Sequence, residues 1–171
     1  IVETTAKQIE QFDESKVPHA QLGDNVTPLA YRLDLEMDPR QDGFNGFVNI
    51  DVMIKEPTKK IWLHGKNMTV TNAKALLRDA TEIKAEYVQV DPAEAPSGVA
   101  SLNFEEEVGP GKVVLIIPYS KPYNTAVNSA YKVERKNGDE TDNYIITQFE
   151  AIGAREAFPS FDEPRFKVPF S

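Results

Sequence analysis

The chain has 171 residues, 40% of them hydrophobic, which fits one domain that buries roughly 70% of the surface its unfolded form exposes. A formal net charge of −8 excludes the basic footprint of a nucleic-acid binder and disfavours an anionic membrane surface. Cysteine is absent, which removes disulfides, thiolate metal sites and thiol nucleophiles, and no run of about eighteen apolar residues offers a membrane span.

Residues 1–22 read as an N-terminal extension, polar apart from the anchors Val2, Ile9, Phe12 and Val17, and residues 23–171 as the domain proper. The chain begins at Ile1 without a charged-then-apolar leader, the pattern of a processed or trimmed N-terminus. Export to the periplasm or cell exterior after signal removal is one expectation, and a trimmed cytoplasmic chain is the other.

From Tyr31 the pattern sharpens. Tyr31, Leu33, Leu35 and Met37 alternate with Arg32, Asp34, Glu36 and Asp38, the period of two of a half-buried strand. Pro39 and Asp42-Gly43 make a turn, and Val48, Ile50, Val52 and Ile54 alternate on the way back, so the two segments predict a hairpin. After Pro57, Ile61-Trp62-Leu63-His64 starts a short strand, with Trp62 expected to be half buried. Thr69–Leu77 and Ala85–Val90 are weaker strand candidates, and Asp91 to Gly98 is a loop by its Pro and Gly content. The β-branched run Val113 to Ile117, between Gly111 and Pro118, predicts a strand buried on both faces. Tyr131–Arg135 and Tyr144–Phe149 flank Asn137-Gly138, a strong two-residue hairpin signal. Together these segments predict an all-β, largely antiparallel β-sandwich of roughly eight to ten strands.

The last hairpin is where the pattern becomes chemical. Ile145, Thr147 and Phe149 share one face; Tyr144, Ile146, Gln148 and Glu150 share the other. If Ile145 and Phe149 face the core, Gln148 and Glu150 project outward where the strand ends. Ala151 to Phe158 allows one short helical turn ended by Pro159, and Pro159, Pro164, Phe158 and Phe161 pin the corner. By spacing alone, Gln148 and Glu150 are an ordinary solvated pair, Asp162-Glu163 is a turn or cap, and Arg155 pairs with either carboxylate.

The block Thr147-Gln148-Phe149-Glu150-Ala151 through Phe161-Asp162-Glu163-Pro164 resembles a block of the aminopeptidase N-type family of zinc exopeptidases. Pro28 to Leu35, Phe44 to Ile50 and Ile61 to His64 are similar to the same family in order and spacing, so the likeness covers about Pro28 to Phe170. Ser160 stands where many members carry Cys. The resemblance implies a saddle-like N-terminal β-domain that covers the active site of a neighbouring catalytic domain in the same polypeptide. It implies that Glu150 binds the free α-amino group of the peptide substrate and that Gln148 lines the pocket for the first side chain. It also implies hydrolysis of the N-terminal peptide bond by a zinc-activated water, with the zinc ligands outside this chain.

A zinc peptidase of this kind needs H-E-x-x-H on a helix. His19 and His64 are far apart and neither carries the motif, so both read as structural or solvated, and no catalytic residue or metal ligand is expected in this chain. Asp139, Glu140 and Asp142 offer carboxylates to a calcium ion, although acidic residues beside an Asn-Gly turn are usually just solvated. The competing reading is a stand-alone β-sandwich that binds or scaffolds a protein or glycan partner, for which Trp62, Tyr119 and Tyr123 are the candidate surface aromatics. Val168 to Ser171 look like the start of a strand, and an unpaired edge there would favour self-association.

Overall fold

The computed structural model describes residues 16–18, 21–138 and 140–171. The anchors Val2, Ile9 and Phe12, with His19 and Asp139, lie outside the described residues. Val17 packs partly buried against the core, Leu22 belongs to it, and the Leu22 N–H donates to Glu163 Oε1 at 2.7 Å.

Ten strands are present among the described residues: β1 (Val26–Glu36), β2 (Gly43–Ile54), β3 (Thr58–His64), β4 (Thr69–Val70), β5 (Lys74–Leu76), β6 (Glu82–Gln89), β7 (Val99–Val108), β8 (Gly111–Pro122), β9 (Ser129–Asn137) and β10 (Glu140–Gln148). The fold is all-β and the strand ladders are antiparallel, as the alternation predicts. One sheet runs β1-β2-β8-β5-β6-β7-β3, with β4 also on β8, and β9 and β10 form a separate hairpin. The first half of β6 pairs with β5 and the second half with β7, so β6 turns the sheet over on itself. Val48, Ile50, Leu115 and Ile117 from one side therefore share a single core with Ile61, Leu63 and Leu102 from the other. No helix among the described residues is long and apolar enough to cross a membrane.

Four expectations are corrected. The segment 69–77 splits into β4 and β5, with Asn72 between them at φ 56°. β7 has no counterpart among the expected strands: its exposed Glu105-Glu106-Glu107 run hides the buried Leu102, Phe104 and Val108. β8 is buried on one face only, since Val113, Leu115 and Ile117 point into the core while Val114 and Ile116 stay half exposed on the outer face. Trp62 is buried rather than half buried, with Lys60 Nζ 5.0 Å above its ring.

At the C-terminal end, residues 169–171 run parallel to the outer edge of β1. The Tyr31 N–H donates to Pro169 O at 2.9 Å, and the Ser171 N–H donates to Tyr31 O at 3.0 Å. The contact is an isolated parallel bridge between Tyr31 and Phe170 rather than a further strand.

Gly46 and Tyr119 face each other across β2 and β8. A Cβ on Gly46 would fall 2.1 Å from Tyr119 Cζ, in a core where the tyrosine is buried. The missing side chain is what lets the ring lie on the strand. Gly46→Val is expected to cost about 2–3 kcal/mol by overpacking, read as a lower urea midpoint. An unchanged midpoint would show that the ring moves aside freely.

Candidate functional site

The β9–β10 hairpin sets the site's direction. Asn137 pairs with Glu140, which places Gly138 in the turn at φ 67°, a conformation that suits glycine. Along β10, Ile145 and then Phe149 pack partly buried against the core, whereas Tyr144 and Ile146 are 45% and 44% exposed. Gln148 and Glu150 are both exposed at the exit of the strand. The chain then closes on itself, the Gly153 N–H donating to Phe149 O at 2.8 Å. The Glu150 N–H donates to Gln148 Oε1 at 3.2 Å, so one predicted side chain holds the backbone of the other. The Glu150–Ala151 peptide bond is cis.

Beneath this exposed corner the packing is dense. The expected helical turn is a short 3-10 turn, Ala154–Glu156. Arg155 is 6% exposed, and its guanidinium donates to Asp162 Oδ2 at 2.8 Å, Asp162 O at 2.7 Å and Ser97 O at 3.0 Å. Of the two acidic residues offered by the sequence, Arg155 takes Asp162, while Glu163 accepts from Arg165 Nε at 2.7 Å. Ser160 and His64 exchange backbone hydrogen bonds of 2.7 and 2.9 Å. The Tyr31 hydroxyl accepts from the Phe161 N–H at 2.9 Å. Edge-to-face contacts run from Phe149 to Phe158 and on to Phe170, which stacks on Tyr31 at 4.3 Å. The corner is rigid below and polar above.

His64 is structural. It is buried, and its Nδ1 accepts from the Asp162 N–H at 3.1 Å. Burial, with the Arg155 charge adding to it, pulls its imidazole from the ordinary 6.5 to about 4. Between those two values the unfolded chain holds more protons than the folded one, so stability falls as pH falls through 6.5 toward 4, by about 3 kcal/mol in all. His64→Asn keeps an acceptor near Nδ1 and cannot titrate. Urea melts between pH 7 and 4 are expected to show a shallower pH dependence for that variant, and identical slopes would contradict the assignment.

No group of three or more His, Cys, Asp or Glu among the described residues stands close enough to hold a metal ion. With His64 Nδ1 already engaged, the described residues do not fit a zinc site. A cleft of about 440 Å³ opens beside the corner, lined by His64, Arg155, Asp162, Ala151 and Ile152 among others; Gln148 and Glu150 stand outside it. Trp62, Tyr119 and Tyr123 are 6%, 4% and 7% exposed, so none of them forms a surface aromatic patch.

The described residues thus form an all-β domain with a braced corner that bears the exposed Gln148 and Glu150. The Peptidase M1 N-terminal domain model matches residues 27–171, and the chain belongs to the M1 peptidase family, whose N-terminal domain it represents. It is 31% identical over 166 residues to aminopeptidase N of Acetobacter pasteurianus, covering 96% of this chain and 44% of that one. It is 28% identical over 145 residues to aminopeptidase M1-B of Oryza sativa subsp. japonica, covering 85% of this chain and 16% of that one. With glutamyl aminopeptidase of Bos taurus the identity is 27% over 160 residues, covering 88% of this chain and 16% of that one. The chain thus spans less than half the length of these relatives.

Proposed function

We propose that this chain acts as the N-terminal β-domain of a longer zinc-dependent aminopeptidase, where it covers the active site and presents Glu150 and Gln148 to the free amino end of a peptide. The observation that carries this reading is the state of Glu150. Its carboxylate is exposed and has no partner among the described residues, yet it sits on a corner braced by the Arg155–Asp162 and Phe161–Tyr31 hydrogen bonds. A carboxylate enclosed between two domains loses hydration and needs a cation. A peptide's α-ammonium supplies one through a charge-assisted hydrogen bond. A blocked or internal peptide leaves the carboxylate unpaired and is rejected. Zinc is general to the family, and its ligands are assigned to the polypeptide outside this chain, together with the catalytic residues. The partners are accordingly the catalytic domain of the same polypeptide and the peptide substrate.

The full-length polypeptide is expected to cleave a peptide with a free amino terminus and to leave its N-acetylated form intact. The isolated chain, with or without added zinc, is expected to cleave neither. Comparable cleavage of the acetylated peptide, or turnover by the isolated chain free of contaminating peptidase, would overturn the reading.

A further inference from the structure

Glu156, six residues after Glu150, anchors a second network that points away from Arg155. Its Oε1 lies 2.9 Å from Lys66 Nζ, and its Oε2 accepts from Asn124 Nδ2 at 2.8 Å. Asn124 Oδ1 in turn accepts from Lys121 Nζ at 3.1 Å, which fixes the orientation of the amide. Lys66 follows β3, Lys121 lies near the end of β8, and Asn124 pairs with Tyr131 at the start of β9. The Lys66 N–H also donates to Arg155 O at 3.0 Å. Arg155 and Glu156 are adjacent on the 3-10 turn, so one side chain grips Asp162 and Ser97 while the other grips the segments that follow β3 and β8. The turn is held from two sides.

The charges of this network are unequal. Glu156 is the one anion facing two cations, and Lys121 is only 3% exposed. Burial pulls the Lys121 ammonium below its usual range, Glu156 opposes that pull and Lys66 adds to it. Removing Glu156 therefore leaves two like charges with no bonded anion in the network, a state relieved by water entry or by movement of the turn. The turn is continuous with the Glu150 corner.

We propose that Glu156 is a positioning residue for Glu150: tied to Lys66 and Asn124, it fixes the corner from which the carboxylate reaches the substrate's amino group. The inference rests on the reading of Glu150 given above. A displacement near 1 Å at such a contact lowers rates by as much as about 100-fold, and the remaining Arg155 grip limits the expected loss to about 10-fold.

The test uses the full-length polypeptide with its best-cleaved aminoacyl 4-nitroanilide as substrate and the des-amino counterpart of that compound as a competitive inhibitor. Glu156→Ala is expected to lower kcat/KM about 10-fold for the amino substrate and to leave the inhibition constant of the des-amino compound unchanged. Glu156→Gln, which keeps one of the two hydrogen bonds, is expected to recover part of the loss. In a Glu150→Ala background, Glu156→Ala is expected to add nothing further. An equal weakening of the des-amino compound's binding, full additivity with Glu150→Ala, or no loss at all would overturn the positioning role. If Glu150→Ala by itself leaves the preference for the amino substrate intact, the reading of Glu150 fails and this inference falls with it. If Glu156→Ala does not fold, Glu156→Gln is judged by the same selectivity and additivity.

Discussion

Glu150→Ala in the full-length polypeptide is expected to lower kcat/KM for substrates with a free amino terminus by about 2–5 kcal/mol, the scale for truncating one partner of an enclosed charge pair. That corresponds to a loss from about 30-fold to a few thousand-fold. The effect is expected to be selective. The corner is built on backbone hydrogen bonds, on the Phe149–Phe158 contact and on Arg155, none of which uses the Glu150 side chain, so the domain should fold normally. Gln148→Ala is expected to cost less, because its carbonyl holds the Glu150 N–H while the carboxylate itself remains. Near-wild-type kinetics for Glu150→Ala on amino-terminal substrates would remove Glu150 from the site.

Arg155→Ala is expected to be the most damaging substitution to stability, at about 3–5 kcal/mol, because it breaks a buried pair and leaves its partner behind. Three acceptors lose their donor at once: the Asp162 carboxylate, the Asp162 carbonyl and the Ser97 carbonyl. The Asp162 side chain is only 22% exposed, so water makes up little of the deficit. Arg155→Lys keeps the charge but loses the planar fork that reaches all three acceptors, and is expected to recover only part of the loss. Urea denaturation of the chain gives both values. A change below about 1 kcal/mol for Arg155→Ala would mean that the corner relaxes into solvent.

The parts of this fold that were legible in the sequence are the locally coded ones. The alternation from Tyr31 and from Val48 marks β1 and β2, and Asn137-Gly138 marks the hairpin whose register sets the exit of β10. The outward exposure of Gln148 and Glu150 follows from the same period of two, given that Ile145 and Phe149 turn inward.

What the pattern did not carry depends on partners distant in the chain. β6 changes neighbours halfway along, from β5 to β7, and nothing in Glu82–Gln89 announces it. The inner and outer faces of β8 between Val113 and Ile117 are equally apolar, so only the curl of the sheet separates Leu115 from Ile116. Lys66 and Glu156 are 90 positions apart, and each alone reads as an ordinary surface charge. Arg155 was visible as a candidate pair for Asp162 because seven residues separate them, but its reach to Ser97 was not.

The most direct test of the account is to read the native open reading frame that contains this chain. An H-E-x-x-H motif with a further glutamate, lying C-terminal to Ser171, is the predicted result and would make Glu150 the first residue to mutate. A frame that closes near Ser171, or that continues without those metal ligands, would contradict the account and leave Glu150 an ordinary surface carboxylate.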